Sequence, residues 1–280
     1  MTKPLRVVLD SNAFSPDHFQ ALAKSRFLGL VKSRRLVPVF SAVMMEETLR
    51  AYNDRSRSLL LNDWLPFILA TQARFCVELP EIWRRELVLR KGAGASEYLS
   101  HPRQRSLMQV LGTFPADGSS SLMAKVQPIW HHDDETRKAI RRAILALRKK
   151  PVQKAVRPID ETLPQLQMTA ARRLLSFVTP HGSVARDLLA RWQPAKQSYP
   201  FFTQAVDDFV FQLMLPLVDH SAAVDQNARP DLEILIHLVR ADALVTNETR
   251  FMARAFDEIW KPRGKSRFTS AEFAAFLAHL

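Results

Sequence analysis

Acidic residues stand where strands end and helices begin in this chain, although its 280 residues carry a net charge of +12. Asp10 closes the apolar run of RVVLDSNAF and is followed by two more polar residues, Ser11 and Asn12. Glu46 and Glu47 come five and six residues after Ser41, inside VFSAVMMEETLRAY. Asp231 opens the stretch that leads into DALVT, and Glu248 stands two residues past Thr246. In an open α/β sheet, ligands gather in the crevice outside the carboxyl ends of the strands. Carboxylates brought together there repel one another and raise one another's pKa until a cation joins them. Hard oxygen ligands of this kind suit Mg²⁺ or Mn²⁺, ions that activate water and stabilise in-line displacement at phosphorus. On that reading Asp10 holds a metal.

Each residue also has a plain structural reading. Asp10 would cap the turn after its strand, and Asn12 would form an Asx-turn. Successive helical residues are 100° apart, so only one of Glu46 and Glu47 can face inward. Asp231 follows Pro230 and would serve as a helix N-cap, a role compatible with metal binding. Asp225 is a reserve ligand, and the pair Asp207 and Asp208 reads as the polar edge of an apolar helix. The run His131–Asp134 looks like a metal box, but adjacent histidines on a helix diverge and no third ligand stands at a matching spacing.

The elements that would position these acids alternate at both chain ends. Arg6–Asp10 reads as a strand, Asp17–Arg35 as a helix, Leu36–Ser41 as a second strand and Ala42–Gln72 as a helix. At the far end, Arg229–Ala241 reads as a helix with Leu232, Leu235, Ile236 and Val239 on one face. Asp242–Thr246 follows as a buried strand, then Asn247–Trp260 as a helix. A short strand and a terminal helix capped by Ser270 close the chain. The region from Pro80 to Pro200 is charged, punctuated by proline and helical in spacing, with a loop at Pro115–Pro128. Strands so distant in sequence need partners, and the two ends supply them for one parallel sheet.

In order, VVLDSNAF, VFSAVMMEETLRAY, DLEILIHLVRADALVTNETRF and FTSAEFAAFL resemble the PIN-domain nuclease family, which includes the VapC-type toxins. The resemblance implies an α/β fold: a PIN-like parallel sheet flanked by helices, built from residues 1–78 and 225–280, with a mostly helical insertion at 79–224. It implies Asp10, Glu47, Asp231 and Glu248 as catalytic metal ligands for one or two Mg²⁺ or Mn²⁺ ions, with Asn12 and Thr246 in support. The family's spacing selects Glu47 over Glu46. Two features depart from the family: Glu248 stands where aspartate is usual, and 184 residues separate Glu47 from Asp231. The implied activity is metal-dependent endonucleolytic cleavage of RNA, in a toxin-like or RNA-processing role, with an antitoxin-like protein as an inhibitory partner. The competing readings are a catalytically silent nucleic-acid-binding protein and a DNA-directed metal nuclease. A homodimer is left open.

Charge and composition point the same way. TRKAIRRAILALRKKPVQKAVR carries Arg137, Lys138, Arg141, Arg142, Arg148, Lys149, Lys150, Lys154 and Arg157 with no acid, while Ile140, Ile144 and Leu147 make an apolar face. A solvated helix surface is the plain reading. Uncompensated charge of one sign suits a phosphate-tracking surface, for RNA ahead of DNA. KPRGKSR, Lys261–Arg267, is a second basic patch near Glu248. Apolar residues make up 47% of the chain, enough for a core, and only 7 glycines favour helices over tight-turned β structure. The single cysteine, Cys76, rules out an internal disulfide and fits a reducing compartment. No secretory signal is visible, and the apolar run Phe209–Val218 falls short of a membrane span. The expected location is the cytoplasm.

Overall fold

In the computed structural model, the described residues are 3–50, 52, 56–114, 159–218 and 228–280, with helical positions at 128, 131, 134, 135, 137–139, 141, 142 and 144–146. By internal contacts the chain forms two compact units. The first comprises Met1–Glu78, Glu97–Lys125 and Glu233–Leu280, and the second Leu79–Ser96 and Val126–Leu232. Residues 79–224, expected as one insertion, are therefore shared between them.

The first unit is α/β. Its strands are β1 (Leu5–Leu9), β2 (Leu36–Val39), β3 (Ala243–Val245) and β4 (Ser266–Phe268), all parallel, in the order β2-β1-β3-β4. One sheet thus takes strands from both chain ends. Val7, Val8 and Leu9 are fully buried, as are Ala243, Leu244 and Val245 to within 1%. A parallel strand covered by helices on both faces must be apolar without alternation, and these strands are. Pro38 is tolerated because β2 stands at the edge of the sheet, with the Phe40–Phe75 bridge as its only pairing on the outer side among the described residues. That bridge and a second, Cys76–Tyr98, draw residues 97–99 into the first unit, with Val77 N–H donating to Glu97 O at 2.9 Å and Leu99 N–H to Phe75 O at 2.9 Å.

Helix boundaries differ from the spacing-based expectation, each for a local reason. The segment 17–35 is two helices, Pro16–Lys24 and Phe27–Lys32, because Ser25 Oγ accepts from Phe27 N–H (3.1 Å) and donates to Leu22 O (2.7 Å). The segment 42–72 is also two helices, Ala42–Arg50 and a run from Arg57 to Ala70 that takes a π-helical turn at Leu60–Trp64. The segment 229–241 is α-helical over Ala228–Leu235 and tightens to a 3₁₀ turn at Ile236–Val239. The helix expected from Asn247 starts only at Phe251 and ends in a π-helical turn, Phe256–Trp260. The terminal helix, Ser270–Ala278, is capped by Thr269 and not Ser270. Glu272 N–H donates to Thr269 Oγ1 (3.2 Å), and Thr269 N–H donates back to Glu272 Oε2 (2.8 Å).

The second unit is helical, with long helices at Ile159–Leu175, Gly182–Trp192 and Pro200–Val218. Its core includes Trp83, Trp192 and Phe202, packed edge to face. Glu86, fully buried, accepts the N–H groups of Phe201 (3.1 Å) and Phe202 (2.9 Å) that the start of the third helix leaves open. Asp208 is buried and accepts from Gln204 (2.7 Å), so it is a core residue and not the polar edge that its sequence suggests. Among the described residues no helix is long and apolar enough to cross a membrane.

The helices that cover the sheet's first unit meet in an aromatic cluster. Phe67 is 6.1 Å from Phe14 and 5.3 Å from both Phe19 and Phe27, ring centre to centre. Phe67→Ala should lower the unfolding free energy by about 3–5 kcal/mol in denaturant melts, with Phe67→Leu losing much less.

Candidate active site

β1 is flanked by β2 on one side and β3 on the other, and the chain passes from β2 across β1 to β3. The carboxyl ends of β1 and β3 are therefore the point where the strand order reverses, the place where open parallel sheets bind ligands. Asp10 and Thr246, the residues following those strands, meet there. Asp10 is 4% exposed and Thr246 fully buried. Thr246 Oγ1 donates to Asp10 Oδ2 at 2.7 Å, and Asp10 N–H continues the ladder to Val245 O at 3.0 Å.

Ser11 joins this pair to the helix after β2. Its hydroxyl donates to Glu47 Oε2 at 2.7 Å and lies 3.4 Å from Asp10 Oδ1. Glu47 is brought within reach because Ser41 Oγ accepts from Met44 N–H (3.0 Å) and so starts the Ala42–Arg50 helix immediately after the strand. Glu46 turns the other way and pairs with Arg50 at 2.6 Å. Asn12 supports the loop opposite: its Oδ1 accepts from Asn247 N–H at 2.9 Å and lies 3.4 Å from Thr246 Oγ1.

The other two expected acids are placed differently. Glu248 directs its carboxylate at its own helix, accepting from the N–H groups of Arg250 (2.5 Å) and Ala253 (3.1 Å). Its extra methylene suits this reach around the turn. Asp231 lies half-buried in the first turn of Ala228–Leu235 and belongs to the second unit.

Burial pushes the Asp10 carboxyl above its ordinary value, against the opposing hydrogen bonds from Thr246, the Ser11 and Asn12 backbone and the Ser11 hydroxyl. The hydrogen bonds that oppose burial at Asp10 come from neutral groups. A buried carboxylate held by neutral donors fits a divalent cation, which would supply the missing charge. Glu47, linked through one hydroxyl, adds a second hard oxygen donor, so the residues present match Mg²⁺ or Mn²⁺.

A second cluster has different chemistry. Cys76 Sγ, a Glu97 carboxylate oxygen and a His237 ring nitrogen lie within 4.8 Å of one another, all buried. Glu97 already carries the Arg6 guanidinium on one oxygen and His237 Nδ1 (3.0 Å) on the other. Burial alone would raise the Glu97 carboxyl, but the His237 hydrogen bond and charge, with Arg6 and Arg240, hold it below the usual range. Burial and Glu97 push the Cys76 thiol well up, away from the thiolate a metal needs. This cluster reads as a satisfied ionic network that pins residues 97–99 to β1. The sequence offered no spacing by which to find it.

The basic segments are partly tied down. Arg137 approaches Asp134 at 4.0 Å and Lys138 pairs with Glu135 at 2.8 Å, whereas Arg141 and Arg142 are exposed and Ile144 is buried. Arg148, Lys149, Lys150, Lys154 and Arg157 lie outside the described residues, as do Ile140, Leu147, His132, Asp133, Asp225 and nearly all of the loop at 115–128. In Lys261–Arg267, Lys261 (3.9 Å) and Arg267 (3.8 Å) both face Asp257, and Lys265 Nζ donates to Ala241 O at 2.6 Å.

Because the folded-state carboxyl of Asp10 is raised, its ionisation opposes folding. The native state loses stability as pH rises from the ordinary value near 3.8 through the raised one, and the loss persists at neutral pH. With chelator present, Asp10→Asn should therefore raise the unfolding free energy at pH 7, by about 1 kcal/mol, the ordinary scale of a point substitution. The gain should vanish below about pH 4, where the unfolded carboxyl also holds its proton. Thermal melts of both proteins across pH check this. No protein-family model, curated protein or solved structure matches this chain.

Proposed function

We propose that the protein is a metal-dependent nuclease of PIN-like type that hydrolyses RNA phosphodiester bonds. The observation that carries this reading is the buried Asp10 carboxylate at the switch point of a parallel sheet, joined to Glu47 through Ser11. Asp10 and Glu47 would hold Mg²⁺ or Mn²⁺. Such an ion, when bound, supplies an activated water and neutralises charge developing at phosphorus.

The chain's own residues do the positioning. Thr246 fixes the rotation of the Asp10 carboxylate through Oδ2, and Ser11 fixes Glu47 relative to it. Burial strengthens the attraction of these acids for a cation, since charges act further in a low-dielectric setting. Asn12 holds the two loops in register through Asn247 N–H. Asp231 enters this reading on the family resemblance alone. Glu248 supports the site as the cap of the helix that follows it. The exposed Arg141 and Arg142, with the remaining cations of that segment, suit contact with phosphates along a single strand. A toxin-like role with an antitoxin-like partner and cytoplasmic location follows from the same resemblance.

The capping role of Glu248 favours a second reading, a PIN-like protein that binds nucleic acid without cutting it. Incubating the purified protein with matched single-stranded RNA and DNA, with Mn²⁺ or chelator, separates the two. The nuclease reading expects RNA cleavage that needs metal and falls more than about 100-fold in Asp10→Asn, beyond the effect typical of outer-sphere partners. Asp231→Asn and Glu248→Gln measured alongside assign those acids. Salt-sensitive binding with no cleavage at any Mn²⁺ concentration establishes the silent reading. Cleavage undiminished in Asp10→Asn places the chemistry elsewhere.

A further inference from the structure

The residues that hold Asp10 are themselves held from the far end of the chain. Asn247, next to Thr246, meets the first turn of the terminal helix at two points. Its Nδ2 donates to Ser270 Oγ at 2.9 Å, and its Oδ1 accepts from Ser270 N–H at 3.0 Å. Ser270 is fully buried. This pairing is possible because Thr269 caps the terminal helix with its capping box to Glu272. The Ser270 hydroxyl is therefore not used by its own helix, and its N–H is one of the donors that a helix start leaves open. Asn247 takes both. Through its own N–H it also holds Asn12 Oδ1, while the neighbouring Thr246 hydroxyl holds Asp10. A continuous chain of hydrogen bonds thus runs from Ser270 through Asn247 to Asn12, with Thr246 and Asp10 on the adjoining residue.

We propose that Asn247 and Ser270 are positioning residues for the acidic site: the terminal helix clamps the Thr246–Glu248 loop in the geometry that presents Asp10 to a divalent cation. The proposal rests on the metal-nuclease reading for what Asp10 holds. Losing the Asn247 side chain removes both clamp bonds, whereas losing the Ser270 hydroxyl removes one and leaves its N–H in place.

The test uses the full chain and two readouts that do not need cleavage: calorimetric Mn²⁺ titration, and amide hydrogen exchange at residues 10–12 and 246–248 in chelator. Asn247→Ala should weaken Mn²⁺ binding about 10-fold and Ser270→Ala by less, the usual range for partners that orient a ligand. The double variant should be no weaker than Asn247→Ala, since both act through one contact. Exchange at Asp10–Asn12 should accelerate in both single variants. Glu272→Ala is the control: it removes the carboxylate that accepts from Thr269 N–H and loosens the same helix, while the Thr269 hydroxyl still accepts from the N–H of residue 272, so the cap that leaves Ser270 to Asn247 stays. It should leave Mn²⁺ affinity within twofold of the parent and exchange at residues 10–12 unchanged. Unchanged exchange in Asn247→Ala, or equal acceleration in Glu272→Ala, overturns the clamp. A parent protein that binds no Mn²⁺ overturns the metal reading, and the exchange comparison still decides the clamp.

Discussion

The α/β unit depends on one constraint: a carboxylate buried at the carboxyl end of its central strand, where water cannot solvate it. An apolar strand such as Val7–Leu9 could end in any turn, but ending on Asp10 requires donors nearby. The turn itself supplies the Ser11 and Asn12 N–H groups, and the residue after β3, 236 positions away in sequence, supplies the Thr246 hydroxyl. The ladder between β1 and β3, the hydroxyl of Thr246 and the Asn12–Asn247 contact therefore form one unit of structure. The Thr246 hydroxyl and the Ser11 and Asn12 N–H groups that hold Asp10 are neutral, which suits the cation proposed for this site.

Much of this was legible in the sequence, and the reasons are physical. Parallel strands buried on both faces lose alternation and read as short apolar runs, so β1, β2 and β3 were visible within a residue or two at each end, whereas β4, the partly exposed SRF, was expected as a short strand without bounds. The acid after β1 stood out because a charge is expensive at the end of such a run. Helix boundaries were less legible, because periodicity cannot see a Ser25 that ends one helix and starts the next, or a Glu248 that delays a helix by capping it later. The choice between Glu46 and Glu47 lay beyond periodicity altogether. Where Ser41 starts the helix, Glu47 meets Ser11 and Glu46 pairs with Arg50. Asn247 carried no signal of its own, Ser11 only that of a polar residue after Asp10, and Ser270 read as a helix cap, since ordinary polar residues acquire such roles only when the fold brings their partners together.

The ionic network of Arg6, Glu97 and His237 shows the converse. Its residue types invite a metal, yet the carboxylate is already shared between a guanidinium and an imidazole, and burial with Glu97 pushes the Cys76 thiol up. The two clusters differ in what surrounds the acid. Cations lie around Glu97, whereas the hydrogen bonds to Asp10 come from neutral groups. The helical unit shows a similar economy: Glu86 serves as the acceptor for a helix start, a buried carboxylate whose work is done by backbone N–H groups. Net charge alone also overstates what is available to a polyanion, because Lys138, Lys261 and Arg267 each face an acid within 4 Å.

The measurement that tests the central claim most directly is a crystal structure grown in Mn²⁺, with anomalous scattering recorded at the manganese edge. The account predicts an anomalous peak in contact with carboxylate oxygens of Asp10 and Glu47. A peak at Cys76, Glu97 and His237 instead, or none at Asp10 at saturating Mn²⁺, would contradict it.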